Sequence, residues 1–104
     1  SQATDSTRAR ARVAAARERA RSRLRGTPWR LNAHVPGSWL RTEAGRPSPG
    51  ATGVLDRALE RGAITMRGFD RIVRVAWTLA DLDGVERPGP DQVGRALLLR
   101  KAAA

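Results

Sequence analysis

With 104 residues, 20 basic against 10 acidic side chains and no cysteine, the chain has room for one small domain and excludes a disulfide framework or a thiolate zinc site. No apolar run approaches the roughly 20 residues that span a bilayer and the amino terminus lacks the apolar stretch of a secretory signal, so no membrane partner is expected and a reducing cytoplasm is the expected location. The net charge of +10 favours a polyanionic partner without specifying one, because Lys101 is the only lysine among the 20 basic residues and an arginine bias also follows from a GC-rich coding background.

Residues 1–6 are expected to form a flexible segment in which Thr4, Asp5 or Ser6 caps a helix over Thr7 to Arg25, with Gly26 and Pro28 as its stop. Its apolar stripe of Ala9, Val13, Ala16, Ala20 and Leu24 is thin and suits close approach of another helix. Arg8, Arg10, Arg12, Arg17, Arg19, Arg21, Arg23 and Arg25 surround the stripe, opposed only by Glu18. That surface is either a solvated helix face or a contact for nucleic acid or a neighbouring chain, for which Arg12, Arg17, Arg19 and Arg21 are the candidates.

Trp29 to Leu40 reads as an extended crossing and then a short helix, with Val35 held out of helical geometry by Pro36 and Pro36 suited to a first helical position. Residues 41–50, rich in Gly, Pro and polar side chains, read as a mobile loop within one domain spanning 7–104. Ser48 and Pro49 are placed to open a helix that carries Val54, Leu55, Ala58 and Leu59 through Arg61 and stops at Gly62.

Thr65 is placed to cap the most strongly patterned helix, which ends at Asp83 and Gly84. At about 100° per residue, Met66, Phe69, Ile72, Val73, Ala76, Leu79 and Ala80 fall on one broad apolar face. Arg67, Arg71, Arg74, Thr78 and Asp81 form a narrow stripe opposite, read as facing solvent, phosphate or a partner. Core packing is expected for Trp39, whereas Trp77 lies at the edge of the apolar face. Val85 to Gly89 connects to a last helix that starts near Pro90 and carries Val93, Ala96, Leu97 and Leu98. No segment alternates like a strand. The expected fold class is therefore all-α, a small bundle of about four to five helices.

Catalytic chemistry is sparse. His34 has no second histidine and no acidic neighbour at ligand spacing, so no metal site is expected. Serines and threonines stand at caps and loops without a base, and nothing matches G-x-x-x-x-G-K-[ST]. The chain by itself is therefore expected not to be an enzyme, and no catalytic residue is assigned within it. An arginine ladder on an anchored helix instead suits recognition of phosphate oxygens, because each guanidinium presents a planar fork of donors and keeps its charge.

The segment T-M-R-G-F-D-R-I-V-R-V-A-W-T-L-A-D-L-D-G at Thr65 to Gly84 resembles the carboxy-terminal helical region of the magnesium-chelatase-like AAA+ ATPases, specifically the competence-associated ComM (YifB) family. R-V-A-A-A-R-E-R at Arg12 to Arg19, N-A-H-V-P-G at Asn32 to Gly37, L-x-R-A-L at Leu55 to Leu59 and Q-V-G-R-A-L-L-L-R at Gln92 to Arg100 follow in the family's order. The chain departs from the pattern at Ala20, where a glutamine is usual, and at Leu99, where an aromatic is often found.

The resemblance implies an AAA+ lid, a helical subdomain that follows the nucleotide-binding core. It also implies that Arg67 is the sensor-two arginine that reaches the γ-phosphate of ATP, within one protomer or across a subunit boundary. Arg71 and Arg74, one and two turns on, are the next candidates for phosphate or interface contact. ATP and Mg2+ are implied as cofactors of the parent protein, with none expected to bind tightly to this piece. The implied partners are the AAA+ core of the same parent chain and the neighbouring subunits of a ring oligomer, with DNA as a further candidate. The implied activity is ATP-driven remodelling of DNA of the helicase or branch-migration type. The competing reading is a free-standing basic helical module whose first helix lies along nucleic-acid phosphates. A third, compatible with the lid, is an assembly surface built on the alanine stripe with Trp29 or Trp39.

Overall fold

The computed structural model describes residues 2–103, and side chains from 4 to 102. Its described residues are all helix and connecting turns: α1 (Gln2–Arg23), a 3₁₀ turn (Asn32–His34), α2 (Gly37–Leu40), α3 (Gly53–Glu60), α4 (Met66–Asp83) and α5 (Pro90–Ala103). This matches the expected all-α bundle.

α4 is the axis of the fold, and each of the other helices packs on it. Its start is fixed by Thr65, whose extended backbone lets Oγ1 accept the Gly68 N–H at 3.1 Å. Its end is set by Gly84 at φ +73°, a left-handed conformation that glycine adopts without a Cβ penalty. The expected apolar face is largely the buried one. Ile72, Val73, Ala76 and Ala80 are buried, while Phe69 and Leu79 are half-buried and Met66 stays 38% exposed. They meet Leu24 of the α1 end, Val35, Leu40, Ala51, Leu55 and Ala58 from the middle of the chain, and Val93 and Ala96 of α5 in one core. Trp77, read as an edge position, is only 2% exposed because its indole Nε1 donates to the Gly45 carbonyl at 2.8 Å. Trp39 and Trp29 pack edge to face on the flank of the core, their ring centres 6.3 Å apart.

Two helix starts differ from the sequence expectation. α1 begins at Gln2, ahead of Thr7, so the proposed capping residues lie inside the helix. Its carboxy-terminal half is the anchored part. Ala16, Ala20 and Leu24 are buried, whereas Ala9 is exposed and Val13 remains 40% exposed. α3 starts at Gly53 and not at Ser48, because Gly50 takes φ +80° and a left-handed residue cannot continue a right-handed helix. The stretch 41–50 makes hydrogen bonds to the body of the domain. Arg87 Nη1 donates to the carbonyls of Glu43 and Arg46, Ser48 N donates to Pro88 O at 2.9 Å, and Gly45 receives the Trp77 indole.

Candidate functional site

α4 and α5 run antiparallel, so the last turn of α5 returns to the first turn of α4. The pairing follows from contacts at both ends: Asp83 meets Gln92 and Arg95, and Arg100 lies over Gly68. Between these ends is an open groove of about 480 Å³. Arg67, Arg71 and Arg100 bring charge to it, while Ile72, Val75, Ala96 and Leu99 give it an apolar wall. All three arginines are exposed.

The electrostatics of this groove are one-sided. The first turn of α4 contains no acidic residue, although that is where a carboxylate is most favourable. Asp70, three residues after Arg67, faces away and pairs with Arg41 at 2.8 Å. Among the described residues no ion pair or hydrogen bond engages the guanidinium of Arg67, Arg71 or Arg100. Arg67 and Arg71 also stand four apart on one helix face, a spacing at which like charges repel. Among the described residues nothing neutralises this cluster. Sequence reasoning located Arg67 and Arg71 but missed Arg100, which comes from a distant helix; its signal was the arginine closing the Q-V-G-R-A-L-L-L-R run.

The rest of the expected solvent-facing stripe is not free. Arg74 Nε donates to the Val35 carbonyl at 2.6 Å, so its guanidinium fastens the 29–40 crossing to α4. Asp81, read as an exposed stripe residue, is 2% exposed. Arg23 reaches it with two bonds of 2.6 and 2.8 Å, Asn32 Nδ2 adds a third of 2.9 Å, and Arg23 also donates to Asn32 Oδ1 at 2.8 Å. The Arg23 guanidinium lies 4.1 Å from the centre of the Trp77 ring, and Arg19 donates to the Asp81 main-chain oxygen at 2.6 Å. Burial is possible here because the carboxylate has charged and neutral donors on several sides.

This network explains the N-A-H-V-P-G run. Asn32 joins the Asp81 cluster, Val35 accepts from Arg74, and the Asp70 carboxylate fills the space that a Cβ on Gly37 would need. His34 is exposed and takes no part.

The four candidate arginines of α1 do not form one face. Arg12 donates to Leu82 O and Asp83 Oδ1, both at 3.1 Å, and Arg19 is bound to Asp81 as above. Arg21 pairs with Glu18 at 3.0 Å, leaving Arg17 as the one of the four without such a partner among the described residues. Asp83 also receives Gln92 Nε2 at 2.9 Å and Arg95 Nη1 at 2.6 Å, and these two donors hold its carboxyl below the ordinary value of 3.8. Among the described residues no group of three His, Asp or Glu side chains could hold a metal ion, and no helix is long and apolar enough to cross a membrane.

The family model described as "Magnesium chelatase, subunit ChlI C-terminal" matches residues 3–100. Uncharacterized proteins of Mycobacterium tuberculosis and Mycobacterium bovis are each 50% identical to the chain over 95 residues. That match takes in 91% of this chain and 19% of each relative, so the chain spans about a fifth of their length. No solved structure matches significantly.

Proposed function

We propose that this chain, which belongs to the magnesium chelatase, subunit ChlI C-terminal family, acts as the lid of an AAA+ ATPase and presents Arg67 to the γ-phosphate of ATP. The observation that carries the reading is the uncompensated guanidinium cluster at the start of α4, on a helix whose other face is locked into the core. Such a cluster is costly for the isolated fold and becomes favourable when phosphate oxygens arrive, since each guanidinium offers two parallel donors to an anion. Arg71 stands one turn behind Arg67 and supports the same contact; Arg74, bound to Val35, serves the fold instead.

The residues of the groove fit phosphate and not Mg2+, which takes several oxygen ligands, since no carboxylate lines the groove and its one hydroxyl, on Thr65, caps α4. In the proposed arrangement the parent's nucleotide-binding core holds the ion, which would neutralise phosphate charge there. This chain's residues orient the terminal phosphate and stabilise charge developing on it. Because α4 is rigidly packed, an arginine in its first turn moves with the whole domain, and nucleotide state is passed on as lid rotation. On the same reading the parent assembles as a ring and remodels DNA in the manner of the ComM (YifB) proteins. The basic-module alternative has less support, since Arg12 and Arg19 are spent on internal carbonyls and carboxylates.

Arg67→Ala in the parent ATPase tests the proposal. Hydrolysis is expected to fall by about 10²–10³-fold, in line with loss of one transition-state donor, while the stability of the 104-residue chain changes by less than about 0.5 kcal/mol. Wild-type hydrolysis, or a large loss of stability in the short chain, would end the reading.

A further inference from the structure

The last turn of α5 suits a cation, yet among the described residues no carboxylate pairs with Arg100 there. Arg100 reaches the groove from that turn, and its guanidinium is laid against the start of α4, with Nη2 and Nε 3.6 and 3.8 Å from the point where a Cβ on Gly68 would stand. The amino-terminal end of a helix carries partial positive charge, so a cation there is repelled, and two more cations of α4 share the space. Among the described residues no acidic group pairs with any of them. The exposed Arg100 guanidinium lies beside Gly68, where an anion would meet three guanidinium forks at a helix start.

We propose that Arg100 is a phosphate-contacting residue that closes a clamp with Arg67 and Arg71 around the oligophosphate tail of a nucleotide. The proposal rests on the lid reading for the source of that tail. α4 supplies two arms of the clamp and α5 the third. Closure therefore requires both helices in their native packing, and Gly68 keeps the space between the arms open. The apolar wall of Ile72, Val75, Ala96 and Leu99 limits hydration on one side, which strengthens each charge-assisted bond relative to a fully exposed one.

Titration of the 104-residue chain with inorganic tripolyphosphate, followed by the Nε–Hε resonances of arginine in NMR, reads the clamp directly. The expected result is saturable movement of the Arg67, Arg71 and Arg100 signals with one shared affinity. Arg100→Ala should weaken that affinity by about tenfold or more, as for the loss of one charge-assisted bond, and Arg57→Ala, which removes the same charge elsewhere, should leave it within about twofold. A stationary Arg100 signal, or equal weakening by Arg100→Ala and Arg57→Ala, overturns the proposal, since net charge alone would then account for binding. The parent ATPase separates this outcome from failure of the lid reading. If Arg67→Ala abolishes hydrolysis while Arg100→Ala keeps wild-type kcat and KM for ATP, the clamp is refuted and the lid stands. If neither changes hydrolysis, both fall.

Discussion

Replacing Asp81 by alanine should remove a large share of the domain's stability. The carboxylate side chain is 3% exposed and takes two bonds from Arg23, whose own side chain is 17% exposed, and one from Asn32. Deleting it leaves the Arg23 guanidinium confined over Trp77 without a counter-charge, with its Nε already lacking a partner. Breaking a buried pair in this way costs about 3–5 kcal/mol, against a total of roughly 5–15 kcal/mol for a domain of this size. At about 4–8 °C per kcal/mol the midpoint should drop by roughly 12–40 °C. Guanidinium unfolding followed by far-ultraviolet circular dichroism measures the loss, with an unchanged m value showing that the denatured state is not the cause. Joint replacement, Arg23→Met with Asp81→Leu, should recover much of it, because two apolar side chains leave no stranded charge. A loss below about 1 kcal/mol for Asp81→Ala, the range of an exposed pair, would refute the buried network as a structural clasp.

Three further outcomes follow from the same geometry. Asp83 is held below its ordinary 3.8 by Gln92 and Arg95, so the native state takes up this proton at lower pH than the unfolded chain does. Its contribution is complete above the ordinary value and fades as pH falls through the lowered one. Asp83→Asn should therefore flatten the acid limb of a stability-versus-pH curve, and superimposable limbs would contradict the pairing. Gly45→Ala should cost about 1–3 kcal/mol, because the new Cβ would collide with the Trp39 carbonyl and stand 2.6 and 2.9 Å from two of its ring carbons; an unchanged thermal midpoint would show that the 41–50 loop yields freely. Gly68→Ala meets only ordinary contacts, the nearest at 3.5 and 3.6 Å, and should gain up to about 1 kcal/mol from helix propensity. Destabilisation on thermal melting would mean that the helix start is packed more tightly than described.

The α4 helix was legible because its signals are local. Thr65 caps it, Gly84 stops it, and Ile72, Val73, Ala76 and Ala80 repeat at helical spacing into the core. The fate of its polar side was not, because periodicity assigns a charged residue to the surface unless a partner from elsewhere is known. Asp81 is buried by Arg23 and Asn32, and Arg74 is captured by a carbonyl of the 29–40 crossing. Trp77 belongs to the same class, since its burial depends on the Gly45 carbonyl. The groove was half visible: Arg67 and Arg71 share a helix face, whereas Arg100 joins them only once α5 folds back.

The buried clasp at Asp81 and the guanidinium groove lie at opposite ends of one unbroken rod, about 21 Å apart at 1.5 Å per residue. That separation gives the helix the mechanics of a lever. A tilt of ten degrees pivoted at Arg67 sweeps the far end through about 4 Å, and Arg19 and Arg23 oblige α1 to travel with it. A small rotation at the groove end is thereby enlarged into a stroke of the long amino-terminal helix.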